Sequence, residues 1–177
     1  MNRPLLVVVS GLPGTGKSVL AAVLSERIGA VTLSRDLARQ QTRTRLAAAD
    51  RVFTRLSGRH RPGLQHQAGR RLQAAAAREL AQGHHVVVEV VADPSIRHQL
   101  AALAAQHKAP LYSIEVVCSD SAEHARRLRA RPGNWQRIVT RMSQTYQPAP
   151  GALVLDSRDT PGQMADRAAE FIRRHDC

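Results

Sequence analysis

Residues 11–18 read Gly-Leu-Pro-Gly-Thr-Gly-Lys-Ser, and they constrain the fold of this chain more than any other stretch. They fit the pattern Gly-x-x-x-x-Gly-Lys-Ser without adjustment. An apolar run at residues 4–9 precedes the motif, and apolar residues at helical spacing follow it at residues 19–28. A strand, a glycine-rich loop and a helix in this order predict an anion-binding loop at one edge of a parallel sheet.

The residue types in this loop suit the phosphates of a nucleotide. Glycines allow consecutive backbone N–H groups to turn inward as a nest, and the helix N-terminus adds positive charge. Lys17 is expected to reach the β- and γ-phosphates of ATP, and the Ser18 hydroxyl is expected to ligate Mg²⁺. The predicted ATP phosphate site consists of Gly11, Leu12, Pro13, Gly14, Thr15, Gly16, Lys17 and Ser18.

The rest of the chain alternates short β-branched runs with helical patterns, which is typical of a parallel sheet covered by helices. The predicted strands are residues 4–9, 31–33, 86–91, 111–117 and 152–155, and the predicted helices are residues 19–28, 36–46, 65–82, 94–107, 121–129, 135–146 and 162–174. We expect an α/β three-layer P-loop NTPase fold, with a five-stranded parallel sheet and helices on both faces. No repeat or linker marks a second domain, so residues 1–177 are expected to form one domain.

The composition predicts a cytoplasmic protein without a membrane partner. No stretch reaches the roughly 18 consecutive apolar residues that a membrane span requires. The apolar run at residues 5–9 leads straight into glycines, which is typical of a strand and not of a signal peptide. The two cysteines, Cys118 and Cys177, stand in unrelated contexts without metal-ligand spacing, as expected in a reducing compartment.

The net charge is +12, and arginine accounts for all but two of the 26 basic residues. Such an excess favours phosphorylated or polyanionic partners, including nucleic acid. A GC-rich coding sequence would also give a chain rich in arginine and alanine, so charge alone does not separate the two explanations. Aromatic residues make up only 3% of the chain, which leaves few platforms for stacking unpaired bases.

The motifs that accompany the P-loop favour a small kinase over other nucleotide-binding classes. An Asn-Lys-x-Asp guanine motif, which a switch GTPase would usually carry, is missing from the sequence. The predicted strand at residues 86–91 carries one acid, Glu89, and lacks the terminal Asp-Glu pair usual in motor ATPases. Small size and an arginine-rich segment late in the chain indicate a kinase with a lid.

A polar pair, Asp36 and Arg39, follows the second predicted strand at the start of a predicted helix. Because residues three apart on a helix face the same way, the two side chains should point together. A carboxylate beside the P-loop can deprotonate an acceptor hydroxyl, and an arginine one turn on can bind an anionic group. The alternative is that Asp36 only caps the helix while Arg39 is solvated.

Together these motifs resemble the kinase module of the phage-type polynucleotide 5′-kinase/3′-phosphatase. That module falls in the wider group of small P-loop kinases that includes zeta-toxin-like and chloramphenicol-phosphotransferase-like proteins. The resemblance covers essentially the whole chain. It rests on residues 11–18, the Arg-Asp-x-x-Arg-Gln run at 35–40, the acid five residues before Pro94, and an Arg-x-x-x-Arg-x-Gly pattern at 127–133.

The resemblance implies ATP and Mg²⁺ as cofactors and assigns roles to individual residues. Asp36 would be the general base on the acceptor hydroxyl. Arg39, with Arg35 of the same run, would contact the acceptor. Arg131 would stabilise the phosphates during transfer, which makes it a catalytic residue together with Asp36 and Lys17.

The sequence also departs from the family pattern around its third strand. The family usually has an aspartate where this chain has Glu89, whose longer side chain would hold a Mg²⁺-bound water. Val90 and Val91 replace the polar residues that follow the acid in the polynucleotide kinase. The sequence therefore leaves acceptor recognition open, and the phosphatase module is not part of this chain.

The predicted lid spans about residues 126–137. Arg127 and Arg131 are four residues apart before a Pro-Gly break and share a helix face. A lid that swings over the phosphates would exclude water and limit ATP hydrolysis. A solvated basic helix face is the alternative. By analogy with related kinases, residues 156–159 after the last strand would hold the adenine edge.

The sequence therefore predicts an ATP-dependent kinase with a hydroxyl acceptor, for which a polynucleotide 5′-hydroxyl is the first candidate and a small molecule is the alternative. A polynucleotide 5′-hydroxyl is favoured by Asp36, Arg39 and the basic surface. A small molecule, such as an antibiotic or metabolite, is favoured by the scarcity of aromatic residues and by two valines, Val90 and Val91, expected to line the acceptor pocket. A third reading is a nucleotide-binding module without catalysis. The oligomeric state is not predicted.

Overall fold

The computed structural model describes residues 3–34, 64–91, 94–131 and 133–175. The strands are β1 Leu6–Ser10, β2 Val31–Ser34, β3 Val86–Glu89, β4 Leu111–Val117 and β5 Leu153–Asp156. The helices are α1 Lys17–Ile28, α2 Leu64–Ala81, α3 Pro94–Gln106, α4 Ser121–Arg129, α5 Trp135–Ser143 and α6 Pro161–His175.

The five strands form one parallel sheet in the order β2-β3-β1-β4-β5. Val9 of β1 lies beside Glu89 on one side, and Ser10 lies beside Glu115 of β4 on the other. The carboxyl ends of β1 and its neighbours therefore meet at one edge of the sheet, where the P-loop begins. This sheet with helices on both faces confirms the predicted fold class.

The hydrophobic core lies in two layers, one on each face of the sheet. One layer packs α1 and α6 on the sheet and includes Leu5, Val7, Val9, Leu20, Leu24, Ile114, Val116, Leu155, Ala165 and Ala168. The other packs α2 and α3 on the opposite face and includes Leu6, Val8, Leu72, Ala76, Val88, Val90, Ile96 and Leu100. Because successive side chains of a strand point to opposite faces, β1 is buried on both sides and holds the P-loop at the centre of the molecule.

The predicted element boundaries agree with the structure to within a few residues, with two differences near the site. The predicted strand at residues 86–91 ends at Glu89, and the predicted helix at residues 135–146 ends at Ser143. The predicted helix at residues 36–46 lies outside the described residues. Among the helices that the structure does describe, none is long and apolar enough to cross a membrane.

Candidate active site

The glycine-rich loop leaves the carboxyl end of β1 and runs directly into α1. Gly11 is required by packing, because a Cβ there would lie 2.4 Å from the Val116 carbonyl oxygen of β4. The backbone N–H groups of Val19 and Leu20 both donate to the Gly16 carbonyl at 3.1 Å and start the helix. The loop is thus fixed between β4 and the N-terminus of α1, where the helix dipole adds positive potential.

A cluster of polar side chains centres on the carboxylate of Glu89 at the end of β3. The Lys17 Nζ lies 3.3 Å from Glu89 Oε1, and the two side chains are only 3% and 4% exposed. The Ser18 hydroxyl donates to the same oxygen at 2.9 Å, and the Ser34 hydroxyl of β2 donates to Oε2 at 2.6 Å. This arrangement joins the P-loop, β2 and β3 through one carboxylate.

The donors in this cluster fit magnesium. The Ser18 hydroxyl and the Glu89 carboxylate are hard oxygen ligands, and Mg²⁺ usually takes one or two protein ligands while keeping several waters. The described parts of the chain contain no group of three or more His, Cys, Asp or Glu side chains that would bind a metal on their own. A metal at Ser18 and Glu89 would therefore depend on water and on a bound phosphate for its remaining ligands.

Helix α4 covers the outer side of the P-loop. A Cβ on Gly14 would meet Leu128 Cδ2 at 3.0 Å and the ring of His124 at 3.2 Å. One turn further on, Arg127 Nη1 donates to the Ser157 hydroxyl at 2.9 Å and lies 3.8 Å from the position of a Cβ on Gly16. The first residues of the predicted lid are therefore in contact with the phosphate loop.

Glu123 holds two arginines of α4, Arg126 and Arg127, in place. Its carboxylate accepts from Arg126 at 2.6 Å and from Arg127 at 2.7 Å. The hydrogen bond from Arg126, followed by the one from Arg127, lowers the pKa of Glu123 to about 2. The carboxylate is therefore ionised at any pH at which the protein would work, and it directs the Arg127 side chain toward Ser157.

The segment after β5 is joined to the end of β4 through Asp156. Its Oδ1 accepts from the backbone N–H groups of Ser119 at 3.3 Å and Arg158 at 3.1 Å. The hydrogen bond with Ser119 lowers the pKa of Asp156, so the carboxylate keeps its charge and its acceptor role. Asp156 thus has a structural role, because these hydrogen bonds fix the conformation of residues 156–159 beside the P-loop.

A protein-family profile described as an AAA domain (AAA_33) matches residues 6–150. The matched range contains β1 to β4, the P-loop, the Glu89 cluster and α4. The chain belongs to this family. The family is defined by a type of domain and not by a reaction, so the activity of this AAA-domain protein depends on the residues of its own site.

Solved structures share the fold of this AAA-domain chain at low sequence identity. The APS kinase CysC of Mycobacterium tuberculosis, in complex with AMPPNP and APS, matches with a TM-score of 0.68 and 18% identity, covering 98% of this chain and 99% of that one. A gluconokinase from Sinorhizobium meliloti matches with a TM-score of 0.65 and 20% identity, covering 98% and 94%. A sugar kinase from Janibacter sp. matches with a TM-score of 0.66 and 17% identity, covering 96% and 95%. A sequence comparison with curated proteins found no match.

The structure brings some of the predicted site residues together, whereas others lie elsewhere or outside the described residues. Lys17, Ser18 and Glu89 form one cluster, and Arg127 lies beside the P-loop. Arg131 lies two residues beyond the end of α4, and its guanidinium is 5.4 Å from the centre of the Trp135 ring at the start of α5, in a cation–π contact. The acceptor residues Arg35, Asp36 and Arg39 lie outside the described part of the AAA-domain chain.

The predicted position of Val90 is wrong. Val90, which we expected to line the acceptor pocket, is 1% exposed and packs into the core layer under α2 and α3. The reason is the alternation of side chains along the strand: Glu89 faces the P-loop, so its neighbour Val90 points to the opposite face. Val91 is half-buried.

A second buried polar cluster was not predicted from the sequence. The carboxylate of Glu115 is fully buried and accepts from the Ser10 hydroxyl at 2.7 Å and from the Tyr146 hydroxyl. Arg97 Nη1 lies 3.4 Å from Glu115, and its Nη2 donates to the Gln147 carbonyl at 3.0 Å. Burial, and next the Glu115 carboxylate, raise the pKa of Tyr146. The hydroxyl therefore remains a proton donor to Glu115. A single acid within an apolar strand was the signal available in the sequence.

Proposed function

We propose that this protein is an ATP-dependent kinase that transfers the γ-phosphoryl group of ATP to a hydroxyl group of a small molecule. The observation that carries the proposal is the cluster of Lys17, Ser18 and Glu89, which places an ammonium, a hydroxyl and a carboxylate within 3.3 Å at the P-loop. Phosphoryl transfer needs positioning and charge neutralisation more than covalent chemistry. This cluster supplies both at the N-terminus of α1.

In the proposed reaction the loop N–H groups bind the phosphate chain and Lys17 binds the β- and γ-phosphates. Ser18 and Glu89 would hold Mg²⁺, with Glu89 acting through a bound water. When bound, the metal neutralises charge that develops on the transferring group. Ser34 orients the Glu89 carboxylate from the side of β2, because its hydroxyl donates to the oxygen that does not face Lys17.

The acceptor side of the proposal rests on the sequence. Asp36 is proposed as the general base on the acceptor hydroxyl, with Arg35 and Arg39 binding the acceptor. Residues 126–137 are proposed as the lid, from which Arg127 and Arg131 reach the phosphates. The contacts of Arg127 with Ser157 and with the surroundings of Gly16 support this placement.

The structural neighbours support a small acceptor. The proteins with the same fold are named as kinases of a sugar, of gluconate and of APS, and one of them was solved with AMPPNP and APS. A polynucleotide 5′-hydroxyl is the second candidate, and the observation that favours it is the net charge of +12. A cytoplasmic location remains a prediction that fits either acceptor.

Phosphoryl transfer itself is the test of the proposal. Radiolabelled ATP and Mg²⁺ are supplied with sugars, sugar acids, nucleosides and natural-product alcohols, and separately with a 5′-hydroxyl oligonucleotide. We expect label on a small alcohol, and we expect the Asp36→Asn variant to lose it by roughly 10²- to 10⁴-fold, because a general base contributes about that much. Label on the oligonucleotide alone would select the second candidate. Tight ATP binding without transfer to any acceptor would indicate that the protein is a nucleotide-binding module without catalytic activity.

The Arg127→Met variant is expected to weaken ATP binding by about tenfold. The change removes the guanidinium beside the P-loop with its hydrogen bonds to Ser157 and Glu123, while an unbranched side chain is retained. Calorimetric titration with Mg·AMPPNP gives the dissociation constants. The matched control is Arg129→Met, since Arg129 lies on the same helix and is exposed. An equal loss in both variants would indicate a general charge effect, and no loss at Arg127 would contradict its proposed role.

A further inference from the structure

The ring of His124 makes a contact with the P-loop that the proposed reaction does not use. Its Nε2 lies 2.8 Å from the carbonyl oxygen of Pro13. A carbonyl oxygen can only accept a hydrogen bond, so Nε2 must carry the proton. His124 belongs to α4 and is half-buried, with its ring against Gly14. The contact joins a helix side chain to the backbone of the loop 111 residues earlier in the chain.

The bonded carbonyl belongs to the central peptide of a tight turn. The Thr15 N–H donates to the Leu12 carbonyl at 3.4 Å, and Gly14 has φ of 85°. Proline in the second position and a positive φ in the third are the features of a type II turn. Type I and type II turns of the same four residues differ by a rotation of about 180° of the central peptide, which here joins Pro13 to Gly14.

The orientation of this peptide decides which polar group faces the phosphates. In a trans peptide the C=O and the next N–H point in opposite directions. Because the Pro13 carbonyl points outward to His124, the Gly14 N–H points to the other side of the loop. If the peptide rotated, a carbonyl oxygen would face the negatively charged phosphates in place of an N–H donor. Glycine at position 14 imposes little barrier of its own, since it adopts φ of either sign.

We propose that His124 is a positioning residue that locks the Pro13–Gly14 peptide with the Gly14 N–H directed at the phosphate chain. The helix carrying His124 also carries Arg127, so α4 would set both the backbone of the P-loop and the guanidinium beside it. This inference rests on the proposed function in one respect, that the loop binds nucleotide phosphates. It makes no assumption about the acceptor.

The tautomer of His124 in the wild-type protein is the first test. Two-bond ¹⁵N–¹H correlation spectra at a pH where the ring is neutral should show His124 with its proton on Nε2. The proton on Nδ1 would leave no donor toward the Pro13 carbonyl, and that result would overturn the inference. The measurement needs neither nucleotide nor a variant, so it is independent of the proposed kinase activity.

Two variants of similar side-chain length separate the hydrogen bond from the packing. His124→Gln keeps an N–H donor at about the reach of Nε2, whereas His124→Met has no donor. We expect the dissociation constant for Mg·AMPPNP to rise roughly tenfold in the Met variant and to recover to within about threefold of wild type in the Gln variant. The matched control is His98→Met on α3, where the histidine is exposed, and its affinity should not change.

Thermal unfolding without nucleotide shows whether a loss of affinity is only a loss of fold. The Gln and Met variants should melt within a few degrees of each other while differing in affinity. Equal affinity in the Met variant and the wild type would overturn the positioning role while leaving the nucleotide site in place. Absence of Mg·AMPPNP binding in the wild type would instead refute the proposed function. If the Met variant does not fold, the tautomer of His124 in the wild-type protein decides whether the inference stands.

Discussion

The Lys17→Ala variant is expected to lose phosphoryl transfer by about three orders of magnitude while it keeps its fold. Lys17 supplies a full positive charge from a site where the side chain is 3% exposed, so water does not screen it as it would on the surface. The remaining N–H groups of the loop are partial charges and cannot replace it. Turnover with saturating ATP and the accepted alcohol gives the effect as kcat and as kcat/KM.

The only other lysine provides a matched control. Lys108 is exposed in the turn before β4, and Lys108→Ala should leave both rate constants within about twofold of wild type. Far-ultraviolet circular dichroism should show the same helix content for both variants. Undiminished transfer in Lys17→Ala would mean that the phosphates are held elsewhere, and the assignment of the site would be wrong.

The parts of the fold that could be predicted from sequence are those with a local signal. The apolar run before the P-loop, the helical spacing after it and the other apolar runs located all five strands, with ends off by one or two residues. The fold followed because these runs alternate with helices and because parallel strands require crossovers. The meeting of Lys17, Ser18 and Glu89 depends on the pairing of β1 with β3, and this strand order was not predicted from the sequence.

The expectation for Val90 failed because a one-residue step along a strand reverses the side chain. Glu89 and Val90 were both expected at the site, but neighbouring residues of a strand point to opposite faces, so only one of the two can face the loop. Both faces of β3 are buried, so the pattern of apolar residues gives no direction. The contact of Glu89 with Lys17 settles the direction and places Val90 in the core.

The contacts of His124 and Glu115 could not be predicted because their partners are distant in the chain. His124 binds the backbone carbonyl of Pro13. Every residue has a backbone carbonyl, so the sequence does not indicate which one a side chain will bind. Glu115 binds Ser10, which lies 105 residues earlier, and Tyr146, which lies 31 residues later. A lone acid in an apolar strand indicates that a partner exists, but it does not identify the partner.

The Glu115→Leu variant is expected to lower the free energy of unfolding by about 3–5 kcal/mol. Leucine removes the acceptor of the Ser10 and Tyr146 hydroxyls and leaves the guanidinium of Arg97 without its carboxylate. The two hydroxyls are then buried or half-buried without this acceptor, and Arg97 keeps only its hydrogen bond to the Gln147 carbonyl. Leaving such donors unpaired costs more than the hydrogen bonds themselves contributed. Since a domain of this size has roughly 5–15 kcal/mol of stability, the loss is a large fraction of the total.

Urea unfolding followed by circular dichroism measures the effect, with an unchanged m-value as the check that the unfolded state is the same. Glu115→Gln should cost only about 1 kcal/mol, because the amide still accepts from Ser10. Glu170→Leu is the surface control, because the Glu170 carboxylate is paired with Arg174 on α6 and its side chain is 51% exposed. The free energy of unfolding should change by no more than about 0.5 kcal/mol in this variant.

Because Ser10 precedes Gly11, nucleotide affinity should fall with stability in Glu115→Leu and not in Glu170→Leu. A Leu variant as stable as the wild type would show that the cluster contributes no net stability and that the core tolerates its removal.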